Sequence, residues 1–199
     1  VIDNFSMKLE ANSVTSLLGS SGSGKTTLLR LASGLEKIQK GKIIVNGFTD
    51  SPDTPNLSPE SRNIGYVFQD CALFPHLNVE QNIFYGLPRE SKQIFDNMLL
   101  LLKNNNFLNY RNRYPHELSG GQRQLVALFR ALASNPKLII MDEPFSNLDT
   151  RLKEGLRDQI LHILKKNKVT TLLVTHDADE AMFMSDKIGI LNDGKLEQF

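Results

Sequence analysis

The sequence has one cysteine among its 199 residues, so no disulfide can form within a single chain. A lone thiol, Cys71, suits a reducing compartment. No apolar run approaches the roughly 18 residues that a membrane helix needs, and Met98 to Leu102 is the longest candidate. No charged-then-apolar secretion signal opens the chain. The 23 basic residues nearly balance the 22 acidic ones, which argues against nucleic acid as a partner.

What remains is the composition of an ordinary globular protein, with 40% hydrophobic and 23% charged residues. Its length allows one domain, or one core with a lobe inserted into it. Short apolar runs predict strands at Val14 to Leu18, Ile64 to Phe68, Leu138 to Met141, Val169 to Val174 and Ile188 to Leu191. A charged helix, Thr150 to Lys166, separates two of them. Strands that alternate with helices predict a mainly parallel α/β sheet.

The middle of the chain has a different, helical pattern. Apolar residues recur at helical spacing between Ile94 and Leu102, and again after Ser119, which is well placed as a helix N-cap. Residues 71–135 are therefore predicted to form a helical subdomain inserted into a core of residues 1–70 and 136–199. Asn46-Gly47 predicts a hairpin and with it a small antiparallel β subdomain. The chain starts abruptly and stops inside a predicted hairpin, so we expect both ends to be cut.

A glycine-rich loop follows the first strand and precedes a predicted helix from Lys25 to Ser33. It fits the pattern G-x-x-x-x-G-K-[ST], in which backbone N–H groups and the helix N-terminus surround a phosphate chain. Lys25 is predicted to bridge β- and γ-phosphates, and the Thr26 hydroxyl to ligate Mg²⁺. The predicted nucleotide-binding residues are Gly19, Ser20, Ser21, Gly22, Ser23, Gly24, Lys25, Thr26 and Thr27.

Polar side chains follow three other strands, at the edge where open α/β sheets bind nucleotides. Asp142 is predicted to hold Mg²⁺, and Glu143 to accept a proton from an attacking water. His176 follows the next strand and is predicted to reach the γ-phosphate or that water. The amide of Gln69 is a third predicted magnesium ligand. Glu143, His176 and Gln69 are thus the predicted catalytic residues.

A second candidate for anion binding lies at Ser119-Gly120-Gly121, far from the phosphate loop in sequence. A hydroxyl and backbone amides at a helix start can form an anion nest. The same residues are also compatible with a simple helix cap followed by two flexible glycines.

Together these segments resemble the ATP-binding cassette family of ATPases over essentially the whole chain. Gly19 to Thr26 is similar to the family's Walker A motif, Leu138 to Asp142 to Walker B, and Leu118 to Gln122 to the signature motif. Gln69 resembles the Q-loop glutamine and His176 the switch histidine. Residues 146–149, Ser-Asn-Leu-Asp, resemble the D-loop.

The resemblance implies a head-to-tail homodimer that encloses two ATP molecules, each with Mg²⁺. Each ATP would contact the phosphate loop of one copy and Ser119, Gly120, Gly121, Gln122 and Asp149 of the other. Within the family, the sequence resembles bacterial importers of ferric iron, polyamines and sulfate. Of these solutes, the resemblance favours ferric iron. Membrane permease subunits would then dock near Gln69 to Val79, fed indirectly by a periplasmic solute-binding protein. The chain would lie peripherally on the cytoplasmic face of the inner membrane.

The chain departs from the family pattern at several positions. Leu125 and Phe129 stand where an arginine and a small residue are common, a difference that concerns packing of the signature helix. Asn147 replaces the commoner alanine of the D-loop. No aromatic residue for stacking on adenine is identified. Two other functions stay open: a soluble cassette protein acting on nucleic acid or ribosomes, and a switch that binds ATP without hydrolysing it.

Overall fold

The computed structural model describes residues 2–54, 57–87 and 92–199. The strands are β1 (Val14–Leu18), β2 (Ile43–Val45), β3 (Phe48–Asp50), β4 (Ile64–Val67), β5 (Leu138–Asp142), β6 (Thr170–Thr175), β7 (Lys187–Asn192) and β8 (Lys195–Gln198). The α-helices are α1 (Lys25–Ser33), α2 (Val79–Ile83), α3 (Lys92–Asn104), α4 (Gly120–Ala133), α5 (Thr150–Lys166) and α6 (Ala178–Met184). No helix in the described ranges is both long and apolar enough to cross a membrane.

Six strands form the main sheet in the order β4-β5-β6-β1-β7-β8. The first five run parallel, and β8 pairs with β7 as an antiparallel hairpin. Strands β2 and β3 form a separate antiparallel pair. The predicted fold class, with a mainly parallel core sheet and a small antiparallel β unit, is confirmed. In this order, the carboxyl ends of β4, β5, β6 and β1 lie side by side at one edge.

Alternate residues of β5 explain why the sheet is covered on both faces. All five β5 residues are buried. Ile139 and Met141 pack into a core shared with α4 and α5, whereas Leu138 and Ile140 pack into a second core with residues of α1. A parallel strand buried on both faces needs such a continuous apolar run, and the run positions Asp142 at the strand's end.

The predicted bounds of the five sheet strands agree with those observed to within about one residue at each end; the strand predicted for Ile64 to Phe68, for example, ends at Val67. Two short helices, Val79–Ile83 and Ala178–Met184, were not predicted. Within the described residues, three α-helices lie between β4 and β5 in the chain, as a helical insertion requires. The boundaries of a subdomain at residues 71–135 stay a prediction.

Helix α4 accommodates both unusual residues in its apolar face. Leu125 is buried, and Phe129 is fully buried with its ring edge-to-face against Phe107, at 5.5 Å between centroids. Phe107 lies in the turn after α3 and also contacts Tyr110. The Phe129 ring therefore fills the space between α4 and the segment after α3, and the local packing is intact.

The small β hairpin is tied to the phosphate-loop helix by a buried ion pair. Arg62 bonds to Asp50 of β3, and both side chains are buried. The same guanidinium donates to the carbonyl oxygens of Leu31 and Ala32 at the end of α1, at 3.2 and 3.0 Å. One arginine thus joins β3 and the end of α1 to the segment before β4.

Candidate nucleotide-binding site

The phosphate loop connects β1 to α1 in a conformation that glycine makes possible. Gly24 is the N-cap of α1 with φ of 102°, a left-handed value that costs residues with a Cβ roughly 1–2 kcal/mol. The N–H of Leu28 bonds the Gly24 carbonyl at 2.9 Å, so the helix begins immediately after the loop. The positive end of the α1 dipole consequently faces the loop.

Lys25 is buried, although it is charged. Its Nζ donates to the carbonyl oxygens of Gly19 and Ser20 at 2.7 and 2.8 Å and lies 3.9 Å from Oε1 of Glu143. A buried ammonium requires such partners, and a triphosphate would supply stronger ones. The cavity beside it measures about 350 Å³ and is lined by Ser21, Gly22, Gly24, Lys25, Thr26, Thr27, Gln69 and Glu143.

Asp142 ends β5 with a carboxylate that is nearly buried. Burial raises its pKa, a neighbouring charge on Glu143 raises it further, and hydrogen bonds from the hydroxyls of Tyr66 and Thr26 oppose the rise. The Tyr66 hydroxyl lies 3.4 Å from Oδ2 of Asp142, and burial beside this carboxylate raises the pKa of Tyr66 as well. A divalent cation would favour the ionised form of Asp142.

Glu143 lies between the phosphate-loop lysine and the predicted switch histidine. Its Oε2 is 3.0 Å from Nδ1 of His176, while Oε1 faces Lys25. Its backbone has a φ of 43°, which is strained for a residue with a side chain. Two bonds hold it there: its N–H donates to the Val174 carbonyl at 2.9 Å, and its own carbonyl accepts from the Ser146 hydroxyl at 2.9 Å. This backbone conformation directs the carboxylate along the edge of the sheet, toward Lys25 and His176.

Gln69 lines the same cavity, just beyond the end of β4. Shortly after it, Cys71 and Ala72 have φ values of 63° and 42°. Arg130 of α4 holds this turn by donating to the carbonyl oxygens of Ala72 and Cys71 at 2.7 and 2.8 Å. The amide of Asn147 donates to the Gln69 carbonyl at 3.4 Å. The segment after β4 is thus fastened both to α4 and to the residues after β5.

The Ser119 turn begins α4 as predicted. Its Oγ accepts from the N–H of Gln122 at 3.3 Å, and the Gln122 side chain accepts from the Ser119 N–H at 2.9 Å. A Cβ on Gly120 would lie 2.7 Å from Cδ2 of Leu148, so a larger residue here would displace the Leu148 side chain. Among the described residues, the cavity beside Lys25 has no lining from this turn. Asp149, the N-cap of α5, is exposed.

The donor set at the sheet edge suits a hard cation. Mg²⁺ prefers oxygen ligands and is commonly held by one or two carboxylates together with substrate phosphates. Thr26, Gln69 and Asp142 offer a hydroxyl, an amide and a carboxylate at this edge, and the described residues contain no all-protein cluster of metal-binding side chains. The residues present therefore fit Mg²⁺ bound jointly with a nucleotide.

Three side chains near the site were not identified from the sequence: Tyr66, Arg130 and Asn82. Tyr66 lies in mid-strand, where an aromatic residue is typical of any β-strand. Arg130 lies on a helix, where arginine is common. Tyr66 and Arg130 bond to a carboxylate and to carbonyl oxygens of distant segments. Asn82 bonds to the backbone of the segment just before it, accepting from an N–H and donating to carbonyl oxygens. Only the three-dimensional structure reveals these contacts.

The phosphate loop between β1 and α1, the acidic end of β5 and the parallel strand order define an α/β nucleotide-binding protein. A family model described as "ABC transporter" matches residues 2–146. This chain belongs to the ABC transporter family.

Several known proteins are similar over nearly the whole chain. The Fe(3+) ions import ATP-binding protein FbpC of Fusobacterium nucleatum is 43% identical over 99% of this chain and 53% of its own length. The sulfate/thiosulfate import ATP-binding protein CysA of Synechocystis is 41% identical over 99% of this chain and 55% of its own length. The chain thus spans little more than half the length of these relatives.

Solved structures agree with the fold. A dimeric ATP-binding cassette in a post-hydrolysis state with bound ADP and Pi is 30% identical, with a TM-score of 0.79 over 99% of this chain and 88% of that one. The cbiO1 protein of Clostridium perfringens, part of the ABC transporter complex cbiONQ, is 26% identical with a TM-score of 0.87. That match covers 99% of this chain and 80% of cbiO1.

Proposed function

We propose that this chain is the ATP-hydrolysing subunit of a bacterial ABC importer. The observation that carries the proposal is that Lys25 and Glu143 line one cavity at the carboxyl edge of the parallel sheet, with His176 in contact with Glu143. The names of the similar import proteins support the transport role. The net charge of +1 offers no basic surface for the alternative, a soluble protein acting on nucleic acid.

The proposed chemistry assigns each side chain one task. Lys25 leaves its backbone carbonyl partners for the phosphates, and the residues from Gly19 to Thr27 surround them. Glu143 accepts the proton of the attacking water, while His176 holds that carboxylate in position through Nδ1. Thr26, Gln69 and Asp142 would hold Mg²⁺, which withdraws charge from the γ-phosphate when it is bound.

The second phosphate-binding surface is proposed to serve another copy of the chain. Ser119, Gly120, Gly121, Gln122 and Asp149 would contact the ATP held by the partner's phosphate loop. The support is geometric, because the Ser119 turn begins a helix, is accessible, and does not line the cavity of its own chain among the described residues. A homodimer with two ATP molecules satisfies both surfaces, and ATP hydrolysis removes the attraction between them.

Membrane permease subunits are proposed to dock on residues 69–79. One buried side chain, Asn82, fixes most of this segment: it accepts from the Phe74 N–H at 2.8 Å and donates to the Phe74 and Leu77 carbonyls at 3.1 and 2.9 Å. The Phe74 ring packs against exposed Tyr85, at 4.3 Å between centroids. The resulting surface is apolar, aromatic and held in one shape, as a protein-docking surface requires.

The cargo is proposed to be an inorganic ion such as ferric iron or sulfate, since import proteins named for either are similarly identical to this chain. A solute-binding protein would deliver it on the far side of the membrane, and this chain would act at the cytoplasmic face. The whole importer's activity and partners belong to the proposal, since the chain spans about half of each relative.

Glu143→Gln tests hydrolysis and dimerisation together. The amide cannot accept the water's proton, so we expect ATP to bind, phosphate release to stop, and a dimer to accumulate. Size-exclusion chromatography with light scattering, in saturating ATP, measures the dimer. Steady phosphate release by the wild-type chain separates an ATPase from a non-hydrolysing switch.

The matched control adds Ser119→Arg to Glu143→Gln. A bulky cation at the exposed turn should block the partner's ATP while leaving the chain's own phosphate loop intact, so this double variant should bind ATP and stay monomeric. A Glu143→Gln chain that remains monomeric in saturating ATP would count against the proposal.

A further inference from the structure

Glu180, on α6, is a buried carboxylate outside the site described above. Its side chain is 2% exposed, although its helix is short and lies at the protein surface. Burying a carboxylate is costly unless it is paired and hydrogen-bonded, and an apolar residue of similar size would pack at no such cost. The groups that contact the Glu180 carboxylate must therefore explain why a charged residue is buried here.

Both carboxylate oxygens of Glu180 are engaged, and by different elements. Oε2 accepts from the Thr175 hydroxyl at 2.6 Å, at the end of β6. Oε1 lies 3.3 Å from Nζ of Lys153 on α5. The Thr175 oxygen in turn accepts from the N–H of Asp177 at 3.0 Å. The carboxylate thus holds the two residues on either side of His176.

The other partner leads to the Asp149 turn. Lys153 belongs to the first turn of α5, where its N–H donates to the Asp149 carbonyl at 3.2 Å. A continuous series of bonds therefore runs from Asp149 through Lys153, Glu180 and Thr175 to the residue next to His176. The Thr175 carbonyl also accepts from the N–H of Gly19 at 3.3 Å, which joins the series to the phosphate loop.

We propose that Glu180 is a positioning residue that couples the Asp149 turn to the His176 imidazole. The inference rests on the proposed function, because Asp149 is assigned there to the partner's ATP. When a second copy engages Asp149, the first turn of α5 is fixed, and Lys153 and Glu180 transmit that placement to Thr175. Engagement of Asp149 by the second copy then stabilises the contact between His176 and Glu143 that the single chain already makes.

A purely structural role makes a different prediction. The α5–α6 contact has a further component, since the Arg157 guanidinium lies over the Phe183 ring at 5.3 Å. If Glu180 served only to hold α6 in place, its loss would lower stability without a selective effect on turnover. Turnover, ATP affinity and stability must therefore be measured separately.

Glu180→Gln is the principal test. Its amide oxygen can accept from Lys153 while its NH₂ group faces Thr175 Oγ1, so the Thr175 hydroxyl loses its carboxylate acceptor and Lys153 keeps a neutral oxygen partner. We expect kcat for ATP to fall roughly tenfold, as for modest displacement of a positioned group, while KM changes less than about threefold. The His176 ring resonance of ¹⁵N-labelled protein should shift or broaden on the same substitution.

Substitutions of Lys153 form the second part of the test, with their own controls. Lys153→Arg retains the charge and should keep near wild-type kcat. Lys153→Met with Glu180→Gln removes both charges, and should lower kcat no further than Glu180→Gln alone because the two residues act as one unit. Lys165→Met, which breaks the exposed ion pair with Asp186 at the other end of α5, should leave kcat unchanged.

The outcomes separate this inference from the proposed function. A wild-type chain that fails to hydrolyse ATP or to dimerise overturns the proposed function. A wild-type chain that does both, with Glu180→Gln matching it in kcat and in the His176 resonance, overturns the coupling alone. A Glu180→Gln chain with a lower melting temperature but normal kcat likewise overturns it.

Discussion

Nδ1 of His176 lies 3.0 Å from Oε2 of Glu143, although 32 residues separate them in the chain. The contact exists because β5 and β6 are parallel neighbours, with Asp142 opposite Val174 in the register. Each side chain therefore leaves the sheet at the same edge. A neutral imidazole can donate its Nδ1 hydrogen to the carboxylate, which orients the carboxylate without protonating it.

This contact predicts the effect of His176→Ala. Without its partner, the Glu143 carboxylate is free to rotate, so kcat for ATP should fall by about 10²-fold while nucleotide affinity is retained. Steady-state phosphate release and titration with a fluorescent ATP analogue measure the two quantities. His162→Ala, at an exposed position on α5, is the control and should match wild type. Normal turnover in His176→Ala would contradict the assigned role.

Lys25→Ala should weaken nucleotide binding. The Lys25 ammonium is the buried cation of the cavity, and charge-assisted bonds to phosphate are among the strongest available. We expect at least about tenfold weaker ATP binding by calorimetry, equivalent to about 1.4 kcal/mol. Lys42→Ala removes an exposed lysine outside the cavity and should have no effect. If Lys25→Ala and Lys42→Ala bound ATP with equal affinity, the phosphates would not bind beside Lys25.

Phe129→Ala tests the packing of α4. A fully buried phenylalanine replaced by alanine leaves a cavity, and such changes typically lower the free energy of unfolding by about 3–5 kcal/mol. Denaturant unfolding followed by circular dichroism measures the change. Phe48→Ala, where the ring is half exposed, should cost far less. Equal losses from the two substitutions would show that Phe129 is not part of the core.

Cys71 should resist alkylation in the folded chain. Burial raises the pKa of its thiol to about 11. At pH 8 the reactive thiolate is then a fraction of roughly 10⁻³, and it should rise about tenfold per pH unit toward pH 11. Mass spectrometry after timed exposure to iodoacetamide measures the rate. The same reaction in denaturant is the control and should be fast at pH 8, where the unfolded thiol has its ordinary pKa.

The raised pKa of Cys71 also has a consequence for stability. The folded chain retains a proton that the unfolded chain loses above about pH 8.5. The contribution of this thiol is therefore constant below that value, and folding becomes less favourable as the pH rises from there toward 11. A free energy of unfolding that increased over this interval in wild type, relative to Cys71→Ala, would contradict the sign.

Much of the sheet and its edge follows from local sequence signals. Val14–Leu18, Lys25–Ser33 and Thr150–Lys166 lie within the predicted bounds because apolar periodicity, the phosphate loop and Gly34 mark them directly. Ser119 was predictable as an N-cap from residue type alone. In each case the determining interactions are made within a few residues of the element.

What the sequence does not reveal depends on distant partners. Helix Val79–Ile83 is only five residues long, too short for periodicity, and its start is defined by the Asn78 cap. The role of Glu180 requires Thr175 and Lys153, which lie on other elements. The family pattern has a small residue where this chain has Phe129. Only the position of Phe107 in three dimensions shows how the larger ring is packed.

The hydrogen bonds of Asn82 have a consequence for how residues 74–78 meet another protein. Because one buried amide holds this segment in the isolated chain, its conformational entropy is lost during folding rather than on association. A permease subunit that docks here as proposed would meet an already ordered segment, and less of the contact energy would be spent on ordering it. Loosening Asn82 should therefore weaken association even where every residue that touches the partner is unchanged.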